Sequence, residues 1–442
     1  MNRISIINEI EENYDVNSVV SNQVPIWQYI RNLIYGQPNY SKNLSKQIKD
    51  FYCLVQNHSW GNYQSCKKFK YLLFTDSNEE IIHNNRKIDK TSQNIIELIG
   101  NDLMVVVNPN GKIHNKSIEC SNYYMSSSFF HYKRWRNGLT DTQNIEGLKE
   151  LKQILNNNNI NLDVDYFNRL FFTYVNIFSD WLIKVEPKSV FINCYYSLFH
   201  QALIYACKKQ KIKTIEIQHG LISNSHNQYS PKKFIGKHTM PDYLLCYNDY
   251  VKTFTNKNYM DHQNIIPIGH YYVEKKLNEK NDPAQLRTSP YSRVVAVSAQ
   301  NDLERELIEK IEKIALMKLD TLFIIKTRDN KEITFPAKNI KINTEGDIYS
   351  LIKCADLHIS CYSTVALEAS MMGTPTILIN INNMSQLYYG AIIKEFENIT
   401  ICDSSNEVLN LMDNWVPNNI NHKPYALNNK QNIKQFLDNY IN

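Results

Sequence analysis

Two successive series of short apolar runs, each alternating with amphipathic stretches, constrain what this chain can become. Short apolar runs bounded by polar residues read as strands covered on both faces of a parallel sheet, and the stretches between them as the covering helices. The first series predicts strands at 71–75, 103–107, 190–193, 214–217, 243–246 and 265–268. Leu198, Ala202, Leu203 and Ala206 recur at helical spacing, so 198–209 is expected to be a helix completing a βαβ unit. Between 278 and 292 the composition turns polar, with Pro283 and Pro290, and a second series then begins. It predicts strands at 294–297, 322–326, 357–360 and 376–379, with helices at 303–316, 348–354 and 364–372. Two further helices are expected at 408–415 and 430–440. The fold class is therefore α/β, with two Rossmann-like doubly wound domains facing across a cleft. The expected divisions are 1–284, preceded in its early part by a helical extension, then 285–405, and 406–442 as helices packing back on the first domain.

Composition excludes several functions. The 442 residues carry 49 Lys and Arg against 44 Asp and Glu, a net charge of +5, which is too thin for a protein that coats nucleic acid. No apolar stretch approaches the roughly 18 residues of a membrane span, and residues 1–13 lack a basic segment followed by an apolar run. A cytoplasmic protein is expected. The nine Cys include no Cys-x-x-Cys pair and read as reduced, mostly buried thiols, so no metal site is expected. Glycine is scarce at 12, and no Gly-x-Gly-x-x-Gly or Walker-type loop is present, which removes the usual support for a dinucleotide cofactor or a P-loop.

Doubly wound sheets bind ligands at the carboxyl ends of their strands, so the polar residues just after the predicted strands are the informative ones. Ile215-Glu216-Ile217-Gln218-His219-Gly220 delivers an imidazole to a strand end, where His219 can serve as a general base or donate to a leaving phosphate; Gln218 and Gly220 flank it. Gly220 would permit a sharp turn and close approach of a ligand. Ser360-Cys361-Tyr362-Ser363-Thr364-Val365-Ala366-Leu367-Glu368 takes a strand into a helix, with Ser360, Ser363 and Thr364 placed for phosphate and Glu368 for the paired hydroxyls of a ribose. Simple helix capping is the competing reading of that block. Lys326 and Arg328 follow another strand and suit a phosphate, as do Ser298 and Gln300 at the end of the first strand of the second series. After the first strand, Asp76 and Glu79 can deprotonate an attacking hydroxyl, or they belong to a solvated acidic loop.

The blocks Glu216-Ile217-Gln218-His219-Gly220 and Ser360 to Pro375 together resemble GT-B-fold glycosyltransferases of bacterial surface polysaccharide synthesis. The stretch Asn343-Thr344-Glu345-Gly346-Asp347, which brings in Glu345, and the leader Pro25-Ile26-Trp27-Gln28-Tyr29-Ile30-Arg31 are similar to segments of the same group. Members using CMP-activated acidic sugars often carry a His-Pro pair where this chain has Lys326-Thr327-Arg328. The resemblance implies a metal-independent glycosyltransferase that moves a sugar from a nucleotide sugar, its substrate rather than a cofactor, to a growing capsule, lipopolysaccharide or O-antigen glycan. The acceptor would be a glycan or lipid-linked glycan, compatible with peripheral contact at the inner face of a membrane. The alternatives are a sugar epimerase or a CDP-polyol phosphotransferase of the same fold, or a non-catalytic scaffold of a polysaccharide assembly complex.

Overall fold

The computed structural model describes residues 3–36, 44–61, 67–83, 86–110, 123–142, 144–223, 225–279, 290–300, 302–327, 335–343, 347–414 and 426–441. Its strands are β1 (Val20–Ser21), β2 (Val24–Pro25), β3 (Tyr71–Asp76), β4 (Glu80–His83), β5 (Arg86–Asp89), β6 (Leu103–Asn108), β7 (Tyr123–Ser126), β8 (Ser189–Ile192) and β9 (Lys213–Ile217). They continue with β10 (Tyr243–Cys246), β11 (Ile265–Pro267), β12 (Arg293–Ser298), β13 (Thr321–Lys326), β14 (Ile340–Ile342), β15 (Leu357–Ser360), β16 (Thr376–Ile379) and β17 (Ile399–Cys402). The chain divides into two compact units: residues 1–219, 226–268 and 429–442 form the first, and residues 220–225 and 269–428 the second. The sequence alone suggests a division after 284 and a tail, 406–442, that packs back on the first domain. The first unit instead gives way at Ile268, and the tail is shared, with Ser405–Asn414 in the second unit and Asn429–Phe436 in the first.

The first unit is built on a seven-stranded parallel sheet ordered β11-β10-β9-β8-β3-β6-β7. The chain starts at β3, steps outward through β6 and β7, then returns to the other side of β3 with β8. The second unit has a six-stranded parallel sheet, β14-β13-β12-β15-β16-β17, with the same reversal between β12 and β15. Numbered along each unit, the order is 3-2-1-4-5-6-7 in the first and 3-2-1-4-5-6 in the second, so each sheet has one topological switch point, where the two connections leave in opposite directions and open a crevice at the carboxyl ends. These strands are apolar on both sides, as in Leu72 to Phe74 and Val294 to Val297, because helices cover both faces.

The leader segment becomes part of the first unit's interior. In the helix Trp27–Gly36, Trp27, Tyr29 and Arg31 are fully buried, and the Arg31 guanidinium meets Glu11 at 2.6 Å. Trp27 Nε1 donates to the same carboxylate at 3.1 Å, and the Lys232 amide donates to its second oxygen at 2.9 Å. Every oxygen is engaged, as a buried ion pair requires. Replacing Arg31 by Ala strands Glu11 and should lower stability by about 3–5 kcal/mol, read as a lower urea midpoint. A midpoint within about 1 kcal/mol of the parent's would contradict this placement.

Cys53, Cys207, Cys246, Cys361 and Cys402 are buried, and Cys194 and Cys354 are half-buried, none of them joined in a disulfide among the described residues; Cys66 and Cys120 lie outside the described residues. Among the described residues no helix is long and apolar enough to cross a membrane.

Candidate functional site

In the first unit the switch point lies between the ends of β3 and β8. Asp76 closes β3, and its carboxylate accepts from the Asn78 amide at 2.9 Å, from Asn108 Nδ2 at 3.1 Å and from the Asn110 side chain. Burial raises the Asp76 carboxyl above the usual range, those three donors pull it back, and the Glu79 charge pushes it up again. Glu79 accepts from Thr91 Oγ1 at 2.5 Å and faces Lys90 at 3.6 Å, so it is more heavily committed to its own unit than an unencumbered base would be.

His219 follows β9 at the same end of the sheet. Its Nε2 lies 3.2 Å from the Tyr196 hydroxyl, and burial lowers its pKa while the nearby Glu79 and Asp76 charges oppose that. Nδ1 is buried and makes no hydrogen bond of normal geometry among the described residues, although the Asn193 carbonyl stands close enough to favour its protonation. The unit thus brings the three expected acid–base residues together. Gln218 is placed differently from its expected position facing a ligand. It is fully buried, and its Oε1 accepts from the Tyr247 amide at 2.8 Å, bracing the ends of β9 and β10.

Two groups went unread in the sequence. Asp89, at the end of the β4–β5 hairpin, is 3% exposed and accepts from Thr75 Oγ1 at 2.6 Å, the Thr91 amide at 2.9 Å and the Ser92 amide at 2.7 Å. Asn193, just after β8, donates to Thr75 Oγ1 at 2.8 Å and accepts from Ser92 Oγ at 3.1 Å, which fastens the hairpin across the crevice. Burial first, then the Glu79 charge, pushes Asp89 up to about 6.

In the second unit the crevice lies between β12 and β15. Here the expectation that Ser298 and Ser360 reach outward to phosphate is corrected. Thr376 Oγ1 lies 3.2 Å from His358 Nδ1, His358 Nε2 lies 2.9 Å from Ser298 Oγ, Ser298 Oγ donates to Ser360 Oγ at 2.9 Å, and Ser360 Oγ donates to the Ser298 carbonyl at 3.0 Å. With a neutral imidazole protonated on Nε2, every donor in that chain has an acceptor. The serine hydroxyls are consumed inside the sheet.

What remains is Gln300, Ser363, Thr364 and Glu368 at the segments after β12 and β15, and Lys326 at the same end of the sheet on β13. Gln300 Oε1 accepts from the Tyr362 amide at 3.0 Å, and Thr364 Oγ1 accepts from the Leu221 amide at 3.2 Å. Ser363 is 5% exposed, and its hydroxyl accepts from the Val365 amide two residues on at 3.3 Å, a local side-chain-to-backbone turn just before the helix. Lys326 ends β13 half-buried and makes no ion pair among the described residues; the adjacent Thr327 hydroxyl, unremarked in the sequence, is buried without a partner among them. Glu368 lies one turn into the helix Val365–Met371 and is 4% exposed. Facing it at 3.8 Å is Nε2 of His270, a residue the sequence did not single out. His270 Nδ1 accepts from the Val273 amide at 3.3 Å, so the ring presents its N–H to Glu368. The signal was Gly269: its φ is +83°, and a Cβ there would come within 2.1 Å of the Ala426 carbonyl oxygen, so only glycine can set the histidine at this point. Gly220 does not need such freedom. Its backbone is outside the left-handed region, and a Cβ would meet Thr364 Oγ1 at an ordinary 3.8 Å. Arg328 and Glu345 lie outside the described residues.

Burial holds four imidazoles neutral: His131 and His200 are pushed down to about 4, and His226 and His358 to about 3. Unfolded, each titrates near 6.5. As pH falls below that value only the unfolded chain takes the proton, so each group costs stability there. Glu216, pushed up by burial to about 8, and Asp89, to about 6, act with the opposite sign, since the folded state protonates first. Four groups against two leave a net loss on the order of 2 kcal/mol between pH 7.5 and 5.5, seen as a lower urea midpoint at the acid pH. A higher midpoint at pH 5.5 would contradict the burial of these rings.

Comparison with solved structures follows from this topology. The UDP-GlcNAc 2-epimerase of Neisseria meningitidis bound to UDP-GlcNAc superposes with a TM-score of 0.52 at 14% identity, covering 84% of this chain and 99% of that one. That of Methanocaldococcus jannaschii gives 0.52 at 14% identity, with the same coverage of 84% and 99%. The S. aureus MnaA complex with UDP gives 0.54 at 10% identity, covering 84% and 97%. The fold is GT-B. A family model described as "Protein of unknown function (DUF354)" matches residues 250–434, a span that includes both His270 and Glu368. No curated protein matches the sequence.

Proposed function

We propose that this chain is a nucleotide-sugar enzyme, and that it transfers a glycosyl group from the nucleotide to a hydroxyl of a surface-glycan acceptor. The observation that carries the reading is Glu368. A buried carboxylate, faced by an oriented histidine and set at the switch point of a Rossmann-like unit, suits the two vicinal hydroxyls of a ribose, since an ionised carboxylate accepts two charge-assisted hydrogen bonds. Lys326, at the end of β13, would supply the cation, and Gln300, Ser363 and Thr364, after β12 and β15, the polar groups for the phosphates. In the first unit Asp76, supported by His219, takes the proton of the attacking hydroxyl; its raised carboxyl brings it nearer to the pH at which a base works best.

Epimerisation at a sugar carbon is the second reading. It is favoured by the fold shared with UDP-GlcNAc 2-epimerases and by the clustering of Asp76, Glu79 and His219, which an exchange of a carbon-bound proton also requires. The two chemistries separate in deuterium oxide. The protein is incubated separately with UDP-, GDP- and CMP-sugars and with CDP-glycerol and CDP-ribitol, each with and without a glycan acceptor. Transfer predicts nucleotide release that depends on the acceptor, a glycosylated product free of phosphate, and recovered donor with no deuterium. Deuterium at C2 of the donor without acceptor would establish epimerisation instead, a phosphate-bearing product would indicate polyol phosphate transfer, and failure to bind any nucleotide would leave a scaffold.

A further inference from the structure

Next to Asp76 the first unit has a cavity of about 360 Å³ that none of the roles above uses. It lies at the end of β6, walled by Phe51 and Leu54 of the helix Leu44–Asn57 and by Ser128, Arg134 and Trp135 of the helix Ser128–Asn137, with Asn108 at its base. Phe51 and Trp135 meet edge to face at 5.3 Å yet stay 42% and 51% exposed, an unusual state for large rings already in contact. No acidic side chain lines the cavity among the described residues, whereas Arg134 does. Its Nε is buried and has no hydrogen-bond partner among them, while the guanidinium stands beside the Tyr174 hydroxyl, itself 2.7 Å from His131 Nδ1. A cation with an unmet donor, two exposed rings and an amide at the base form a receptor for an amphipathic anion with a flat apolar face. A pyranose has such a face in its axial C–H groups. Asn108 also fixes the direction: its Nδ2 donates to Asp76 Oδ2 at 3.1 Å, so whatever fills the cavity lies one side chain away from the proposed base.

We propose that this cavity is the acceptor subsite and that it takes an anionic saccharide, a sugar phosphate or a uronic acid, stacked on Trp135 and Phe51 with its charge on Arg134. The inference rests on the glycosyl-transfer reading and names the acceptor class for it. The test uses the full chain labelled with 5-fluorotryptophan, with the Trp135 fluorine signal assigned by Trp135→Phe. N-acetylglucosamine 1-phosphate, glucuronic acid and uncharged N-acetylglucosamine are titrated separately. At least one of the two anionic sugars should move the Trp135 signal with a dissociation constant at least tenfold below that of the neutral sugar; which of them does so identifies the charged group. Arg134→Gln should abolish that preference. Equal affinity for charged and neutral sugars, or a silent Trp135 with all three, would overturn the proposal. So would a signal moved by phosphatidylglycerol vesicles and by no sugar, which would make the rings a lipid contact. Nucleotide titration of the same sample separates the two readings. Nucleotide binding with a silent Trp135 sinks this subsite alone. A responsive Trp135 in a chain that binds no nucleotide sinks the transferase reading and leaves an anionic-saccharide site.

Discussion

Asp76→Asn should lower kcat by roughly 10²- to 10⁴-fold while leaving nucleotide affinity within about twofold of the parent value, the range expected for loss of a positioned general base. Asn keeps the shape and can still accept from the Asn78 amide, but its NH2 meets Asn108 Nδ2 and an amide cannot take a proton, so the urea midpoint is measured beside kcat to separate the lost base from a loss of stability. Asp89→Asn separates base from scaffold. Asp89 is fully engaged by Thr75, Thr91 and Ser92, and its loss should show first as a lower urea midpoint. If Asp76→Asn retained full kcat and His219→Ala lost it, the base would be the imidazole, which stands in the same field of charges.

Glu368→Ala should weaken binding of the best nucleotide by about 30- to 100-fold, a loss of roughly 2–3 kcal/mol for two charge-assisted bonds to ribose. Glu368→Gln should fall between, since an amide oxygen still accepts but without the charge. The corresponding 2′,3′-dideoxynucleotide should bind the parent as weakly as the natural nucleotide binds Glu368→Ala, because the same two bonds are absent in both. His270→Gln, which keeps a donor but loses the fixed ring, should cost less than Glu368→Ala. Unchanged affinity in Glu368→Ala, measured by isothermal titration, would remove the ribose role and leave the residue as part of the interior.

Much of this layout was legible because parallel strands covered on both faces announce themselves. The apolar runs around Leu73, Val105, Val295 and Ile359 all became sheet, and the helix Leu198–Lys209 lies where its spacing put it. Of the four edge strands of the two sheets, only Ile265–Pro267 was legible. Tyr123–Ser126, Ile340–Ile342 and Ile399–Cys402 are short and half-covered, so they lack a continuous apolar run. The helix Val164–Val185 was missed as well. Phe171, Phe172, Val175, Phe178, Trp181 and Leu182 face the interior while Asn176, Asp180, Ile183 and Lys184 stay exposed at helical spacing, a contrast the sequence carried and the reading by strand-like runs passed over. Site residues were legible as positions in the chain rather than as directions in space. Ser298 and Ser360 end their strands as expected, yet the pleat turns both hydroxyls inward toward His358. Asp89 sits in a polar hairpin that reads as loop, and only the fold brings it to Thr75 and Asn193.

Hydrogen exchange with and without saturating nucleotide tests the second unit's role most directly. Slowed exchange is expected, within that unit, only in the segments that follow β12, β13 and β15, including the first turn of the helix carrying Glu368, with loss of that protection in Glu368→Ala. Protection that appears only in the first unit, or nowhere along the chain for any nucleotide, would contradict it.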